Sequence, residues 1–334
     1  MPRVLLLPSE GVDAETARLR AAIRSRLRAR ETAPVAGHVA LLLRQGLLLR
    51  RAVRDAEVVH AIGTAALAAA IMGGARRTVF QPVAMPTRRL THWLRAIGRH
   101  RDLRVVASSD AARRRLVTGG VPADRCTLIR PGVDLGALPV RRDDALRAAL
   151  GFAADDVVML APLEEPHTSG RAMAFWATSL LNVLDPRYKL LLTRGGVAHP
   201  ADDLRERLID SSACVVADLR QFPVEKLFAG SDYVLLPATG PVSMSTVAMA
   251  MASGRPVIAT ATPQICELLE DRHTALLVGE LSPRLLAQRV LDAAGDPQQS
   301  AKIADRARSE VYELLTQAKA VELYRQLYDL AARS

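Results

Sequence analysis

Residues 232–279 read DYVLLPATGPVSMSTVAMAMASGRPVIATATPQICELLEDRHTALLVG, and their punctuation sets the fold. Tyr233–Leu236 and Val257–Ala259 are apolar runs of strand length, each bounded by turn residues, and Ala275–Val278 is a third. Thr246–Ala252, between the first two, has helical composition. Gly254 follows it, where a left-handed residue ends a helix, and Pro256 prevents continuation. Strand, loop, helix, strand at this spacing is a βαβ unit of a parallel sheet. Gly240 precedes Ser243, Ser245 and Thr246, and one of these hydroxyls can cap the helix. Such a loop presents unpaired N–H groups and a partial positive charge, which suits an anion. An ordinary capped helix has the same pattern.

Working outward, the alternation continues. Val157–Ala161, Lys189–Thr193 and Ala213–Ala217 read as strands, with helices over Gly170–Leu184, Asp202–Leu208, Val224–Phe228 and Leu285–Ala294. Towards the N-terminus, Val4–Leu7, Glu57–Ala61, Arg77–Phe80, Arg104–Ser108 and Cys126–Ile129 are strand candidates. Asp13–Arg30, Val39–Val53, Thr64–Met72, Leu90–Arg99 and Asp110–Gly119 are helix candidates between them. Gly132–Phe152 reads as a linker, and Gln299–Arg333 as a long helical pattern broken once. The economical architecture is two doubly wound α/β domains in tandem.

Hydrophobic residues make up 49% of the 334 and aromatics only 4%, so both cores are built from Ala, Leu and Val. Residues 1–140 hold 24 arginines against 10 acidic residues, a surplus of +14, whereas residues 141–334 hold 21 basic against 25 acidic residues, −4. A basic half favours an anionic partner such as a membrane surface, or it marks arginines on solvated helix faces. Basic amphipathic helices at 39–54 and 88–101, the latter carrying Trp93, suit a peripheral membrane contact. Nucleic acid is not the expected partner, because no aromatic stacking set or binding motif accompanies the charge. Cys126, Cys214 and Cys266 lack metal spacing and read as free thiols of a cytoplasmic protein. No apolar run approaches the ~18 residues of a membrane span.

Two stretches resemble the retaining glycosyltransferases of family 4 (group 1), which have the GT-B fold. One is ASSDAARRRLVTGGVPADRCTLIRPGVD, residues 107–134, a strand–helix–turn–strand element ending in a Pro-Gly-Val-Asp turn. The other is the opening stretch, similar to that family's donor segment, and EVVHAIGTAALAAA at 57–70 adds a weaker match. The resemblance implies two Rossmann-like domains facing a cleft: an acceptor-side domain over 1–140, a nucleotide-sugar domain over 141–310, and a C-terminal helix, 311–334, crossing back to the first. It implies a donor site at Gly240, Ser243, Ser245 and Thr246, with neither metal nor cofactor.

The family's functional side chains are depleted here. Its two donor-site carboxylates fall at Pro241 and Met249. Its basic pair after the first strand of the C-terminal domain falls at Pro162 and at or near His167, so Arg171 or Arg194 is the replacement candidate. Its N-terminal-domain His falls at Gln81 or Pro82, and Gln hydrogen-bonds but does not shuttle protons. On the acceptor side of the cleft the candidates are Gly11, His60 and Gln81. The implied function is hexose transfer from a nucleotide sugar to a lipid or saccharide acceptor. The alternative is a non-catalytic GT-B binding or scaffold protein.

Overall fold

A computed structural model describes residues 2–10, 14–35, 48–98, 102–163, 168–194 and 213–333. The chain divides into two compact units, Met1–Gly132 with Gln317–Ser334, and Val133–Thr316.

The first unit is a six-stranded parallel sheet. Its strands are β1 (Val4–Pro8), β2 (Arg30–Glu31), β3 (Val58–Ile62), β4 (Arg77–Gln81), β5 (Asp102–Ala107) and β6 (Cys126–Leu128), in the order β2-β1-β3-β4-β5-β6. Helices α1 (Ala14–Leu27), α2 (Thr64–Met72), α3 (Arg88–Gly98) and α4 (Asp110–Thr118) connect them, with a further helical stretch over 48–55. β1 and β3 are buried along their whole length, the pattern of strands covered on both faces. The helix expected over Asp13–Arg30 stops at Leu27 because Arg28 turns to φ +51, freeing Arg30 and Glu31 to pair with Leu5 and Leu6 as an edge strand. Most of the helix expected over Val39–Val53, and all of that over Asp202–Leu208, lie outside the described residues.

The second unit repeats the plan. Strands β7 (Val157–Ala161), β8 (Tyr188–Arg194), β9 (Cys214–Asp218), β10 (Tyr233–Leu236), β11 (Val257–Thr260) and β12 (Leu276–Val278) form a parallel sheet in the order β12-β11-β10-β7-β8-β9. Its helices are α5 (Asp144–Ala149), α6 (Arg171–Leu184), α7 (Val224–Leu227), α8 (Met244–Ala252), α9 (Pro283–Gly295) and α10 (Pro297–Leu314). The stretch read as a linker thus contains a helix, α5, capped by the Asp143 carboxylate accepting from the Leu146 N–H at 2.9 Å. The strand order reverses between β7 and β10, and a doubly wound sheet offers its binding crevice at such a switch point.

The last helix, α11 (Gln317–Arg333), belongs to the first unit. The helical pattern after Gln299 breaks at Leu315–Thr316, where the Val133 N–H donates to the Leu315 carbonyl at 2.7 Å and Val133 bridges Thr316. That bridge ties the outgoing and returning chain together. The division therefore falls at Gly132–Val133 and Thr316–Gln317 rather than at 140–141 and 310–311. Val321, Tyr324, Leu327 and Tyr328 of α11 pack with Ile23 and Leu27 of α1 over Val4, Leu6, Val58, Val79 and Val106 of the sheet.

Candidate functional site

At the switch point of the second unit, the loop 237–243 leaves β10 and opens α8. It is held from two sides. After β7, the Thr168 hydroxyl donates to the Pro241 carbonyl at 2.7 Å, and the Thr168 carbonyl accepts from the Thr239 N–H at 2.8 Å. Gly170, at φ +66, begins α6 so close to the end of β10 that an added Cβ would stand 1.6 Å from the Pro237 carbonyl oxygen. After β11, the buried Gln264 amide grips Val242 at both ends. Its Oε1 accepts from the Val242 N–H at 3.0 Å, and its Nε2 donates to the Val242 carbonyl at 3.1 Å.

Ser243 is the N-cap of α8, its hydroxyl accepting from the Thr246 N–H at 3.4 Å. Ser245 is buried and Thr246 half-buried in the first turn. Gly240 is half-buried and packs on Thr168, whose Cγ2 would lie 2.9 Å from an added Cβ. A side chain at 170 would thus collide with backbone, whereas one at 240 would require the Thr168 methyl to shift.

The two candidate cations separate. Arg171 is 2% exposed and its Nη1 donates to the Thr193 carbonyl at 2.5 Å, so this guanidinium is built into the end of β8. Arg194 is half-buried at the last position of β8, in register with Asp218 of β9. The Asp218 carboxyl is held down at about 2, chiefly by hydrogen bonds from Arg220, with a smaller electrostatic contribution from Arg194. His167 lies outside the described residues. Met249 is buried in the core of the second unit, and Pro241 is exposed on the loop. Neither position supplies a charge.

In the first unit, the strand order reverses between β1 and β3. There Ser9 Oγ accepts from the Ala66 N–H of α2 at 3.0 Å, beside Gly63 at φ +89. Gly11 lies outside the described residues. His60, a candidate for the cleft or for a buried and satisfied side chain, is fully buried in mid-strand. Its Nδ1 is 2.7 Å from the Tyr328 hydroxyl, and its ring lies against Tyr324 and Tyr328. Burial lowers its pKa to about 3 despite a hydrogen bond with Gln81 that raises it. Such a ring stays neutral near pH 7 and packs α11 onto the sheet. Gln81 ends β4, and its Oε1 accepts from the Tyr324 hydroxyl at 2.8 Å. Thr168, Gly170 and Gln264 position the loop 237–243 yet stand out in no local pattern. Their partners lie 22 to 73 residues away, and only the fold brings them together.

Residues 172–296, which include this loop, α8 and Gln264, match the family described as Glycosyl transferases group 1. That region is similar to the group 1 glycosyltransferases. D-inositol 3-phosphate glycosyltransferases of Mycobacterium tuberculosis and Mycobacterium bovis are 27% identical over 183 residues, 53% of this chain. The match spans 38% of the length of those relatives. Among solved structures, Anabaena HepE in complex with UDP and glucose superposes with a TM-score of 0.81 at 16% identity, covering 98% of this chain and 100% of that one. Sucrose-phosphate synthase from Thermosynechococcus elongatus gives 0.74 at 17% identity, covering 100% of both chains. WaaG, a glycosyltransferase involved in lipopolysaccharide biosynthesis, gives 0.71 at 16% identity, covering 96% of this chain and 98% of that one. The fold of the chain is GT-B, and each of its two units carries the parallel, doubly wound sheet of that architecture.

Proposed function

We propose that this chain is a retaining glycosyltransferase that moves a hexose from a nucleoside diphosphate sugar to a lipid or saccharide acceptor. The observation that carries the reading is the loop 237–243. It is clamped by Thr168 and Gln264 at a topological switch point and runs into the N-terminus of α8. Main-chain N–H groups there bind a diphosphate without needing a particular side chain, so Pro241 and Met249 do not abolish the site. Arg194 supplies positive charge to the leaving diphosphate, and that charge, not a protein carboxylate, is the contribution the reaction least tolerates losing. The transfer proposed is metal-independent, and full turnover in excess chelator is its expected signature. The UDP complexes of HepE support a uridine donor as the first to test.

The first unit holds the acceptor in this reading, and its arginine surplus suits an anionic one. Trp93 is 36% exposed on α3 with Arg88, Arg89 and Arg95 exposed around it, a surface fitted to anionic headgroups. Among the described residues no helix is long and apolar enough to cross a membrane, so such a contact would be peripheral.

Pro162, Pro241 and Met249, at the family's charged positions, favour a second reading: a non-catalytic binding protein. Calorimetric titration with UDP-, GDP- and ADP-sugars, followed by turnover assays, separates the two. Turnover with any donor removes the second reading. No binding at millimolar donor by folded protein removes the first.

A further inference from the structure

Helix α6 has fourteen residues and one charge, Arg171, which is buried. Ala174, Phe175, Ala177, Thr178 and Leu181 face the core. On the opposite side Trp176, Leu180, Val183 and Leu184 are exposed by 40%, 48%, 86% and 70%. Their i, i+4, i+7, i+8 spacing places them in one stripe directed away from the sheet. In a chain with 24% charged residues and a net charge of +10, this helix face presents no ionisable side chain at all. The contrast with α3 is direct, because Trp93 sits among arginines whereas Trp176 sits among Leu and Val.

We propose that the α6 stripe is a contact between two copies of this chain, paired antiparallel about a two-fold axis through Leu180. Two features select a second copy as the occupant. First, the stripe is symmetric in sequence: Trp176 and Leu184 are each four residues from Leu180. An antiparallel pair sets Trp176 against Leu184 of the partner subunit while Leu180 meets its own equivalent, the self-complementarity a two-fold interface requires. Second, an uncharged face on the half of the chain whose net charge is near balance (−4) lets two copies meet without like-charge pairs, whereas an anionic lipid surface would find no basic residue on it to hold. A 14-residue helix is about 21 Å long and about 10 Å wide, giving a footprint near 200 Å² per partner against about 800 Å² for a standard interface. The dimer is therefore weak and concentration-dependent, with dissociation from about the high micromolar range upward.

Sedimentation velocity of the full chain across that range tests this. The wild type should shift from monomer to dimer. Leu180 lies on the axis, so in Leu180→Glu and in Leu180→Arg each new charge meets its own copy, and association should fall at least about 10-fold in either variant. An equimolar mixture of the two places Glu against Arg and should associate again. Because Leu180 is half exposed, both variants keep the fold, which circular dichroism checks. A wild type that stays monomeric throughout overturns the proposal. So does a Glu variant that associates like wild type, or a mixture no tighter than its components. Monomers that float with zwitterionic vesicles through this stripe would also overturn it, in favour of a lipid surface. None of these outcomes depends on whether a nucleotide sugar binds.

Discussion

A carbonyl oxygen 1.6 Å from where a Cβ would stand makes Gly170, at the N-cap of α6, the least replaceable glycine beside the loop 237–243. Its φ of +66 adds a second penalty for any L side chain. Gly170→Ala must push β10 and its loop aside, and a loss of about 2–4 kcal/mol in chemical denaturation is expected, in the range of severe single substitutions. The two arginines should divide by phenotype. Arg171→Ala leaves the buried Thr193 carbonyl without this donor, so its cost of about 1–3 kcal/mol falls on stability. Arg194→Ala should leave the melting temperature nearly unchanged and weaken nucleoside-diphosphate binding at least about 10-fold, the weight of about 1.5–3 kcal/mol carried by a charge-assisted bond. Loss of binding in the Arg171 variant alone would reverse the assignment. His60 gives the pH prediction. Its folded pKa of about 3 lies below the ordinary value of 6.5, so the unfolded chain binds the proton first and stability falls as pH drops below 6.5. Between pH 7 and pH 4.5 His60 should account for about 2.5 kcal/mol of that fall. A His60→Gln variant should show a correspondingly shallower decline in denaturant titrations, and parallel curves would refute the account. At this scale the sequence displayed the Ser243 cap and the Gly254 stop, both local rules. It hid Thr168 and Gln264, whose bonds span 73 and 22 residues.

Elements were legible where one residue period ran uninterrupted. The β1 and β3 runs and the β10–α8–β11 unit sit where the apolar pattern places them. β2 was invisible, because a two-residue edge strand has no period and exists only through pairing with β1. α5 was hidden in a charged stretch, as a six-residue helix held by its Asp143 cap and by Arg147, which is 1% exposed and donates to the Gly230 carbonyl and to Asp232. In the proposed function, the N-terminus of α8 is where element and function meet. It remains usable for an anion only while the loop before it stays in place, and Gln264 makes the two hydrogen bonds that fix Val242. Gln264→Leu removes both and leaves a buried N–H and carbonyl unpaired, at about 1–3 kcal/mol. Donor affinity should then drop even though Gln264 touches no phosphate in the proposed complex. Unchanged calorimetric affinity in that variant would show that α8 binds without the clamp, or does not bind.

At the scale of the molecule, the first unit is made of both chain ends. Its sheet face of Val4, Leu6, Val58, Val79 and Val106 is covered by α1 and by the returning α11. Ala320, Val321, Tyr324, Leu327, Tyr328 and Ala331 of α11 are buried there, and the polar contacts His60–Tyr328 and Gln81–Tyr324 fix the helix in one register. Four of those side chains are large, and burying each contributes about 1.5–3 kcal/mol. Their sum matches the whole stability of an ordinary domain, about 5–15 kcal/mol. A chain ending at Thr316 should therefore lose the first unit and keep the second, whose residues 133–316 form their own contacts throughout. Limited proteolysis of that truncation should digest the N-terminal 132 residues and leave a protected fragment beginning near Val133. Proton spectra of the fragment should retain dispersed methyl signals, as a packed β7–β12 core requires. The opposite result, an intact first unit without α11, would mean that α1 alone suffices to cover the sheet and that the long return of the chain serves some other end. Melting of both units together would instead show that they fold as one cooperative system. The loop 237–243 could then not be studied on residues 133–316 alone.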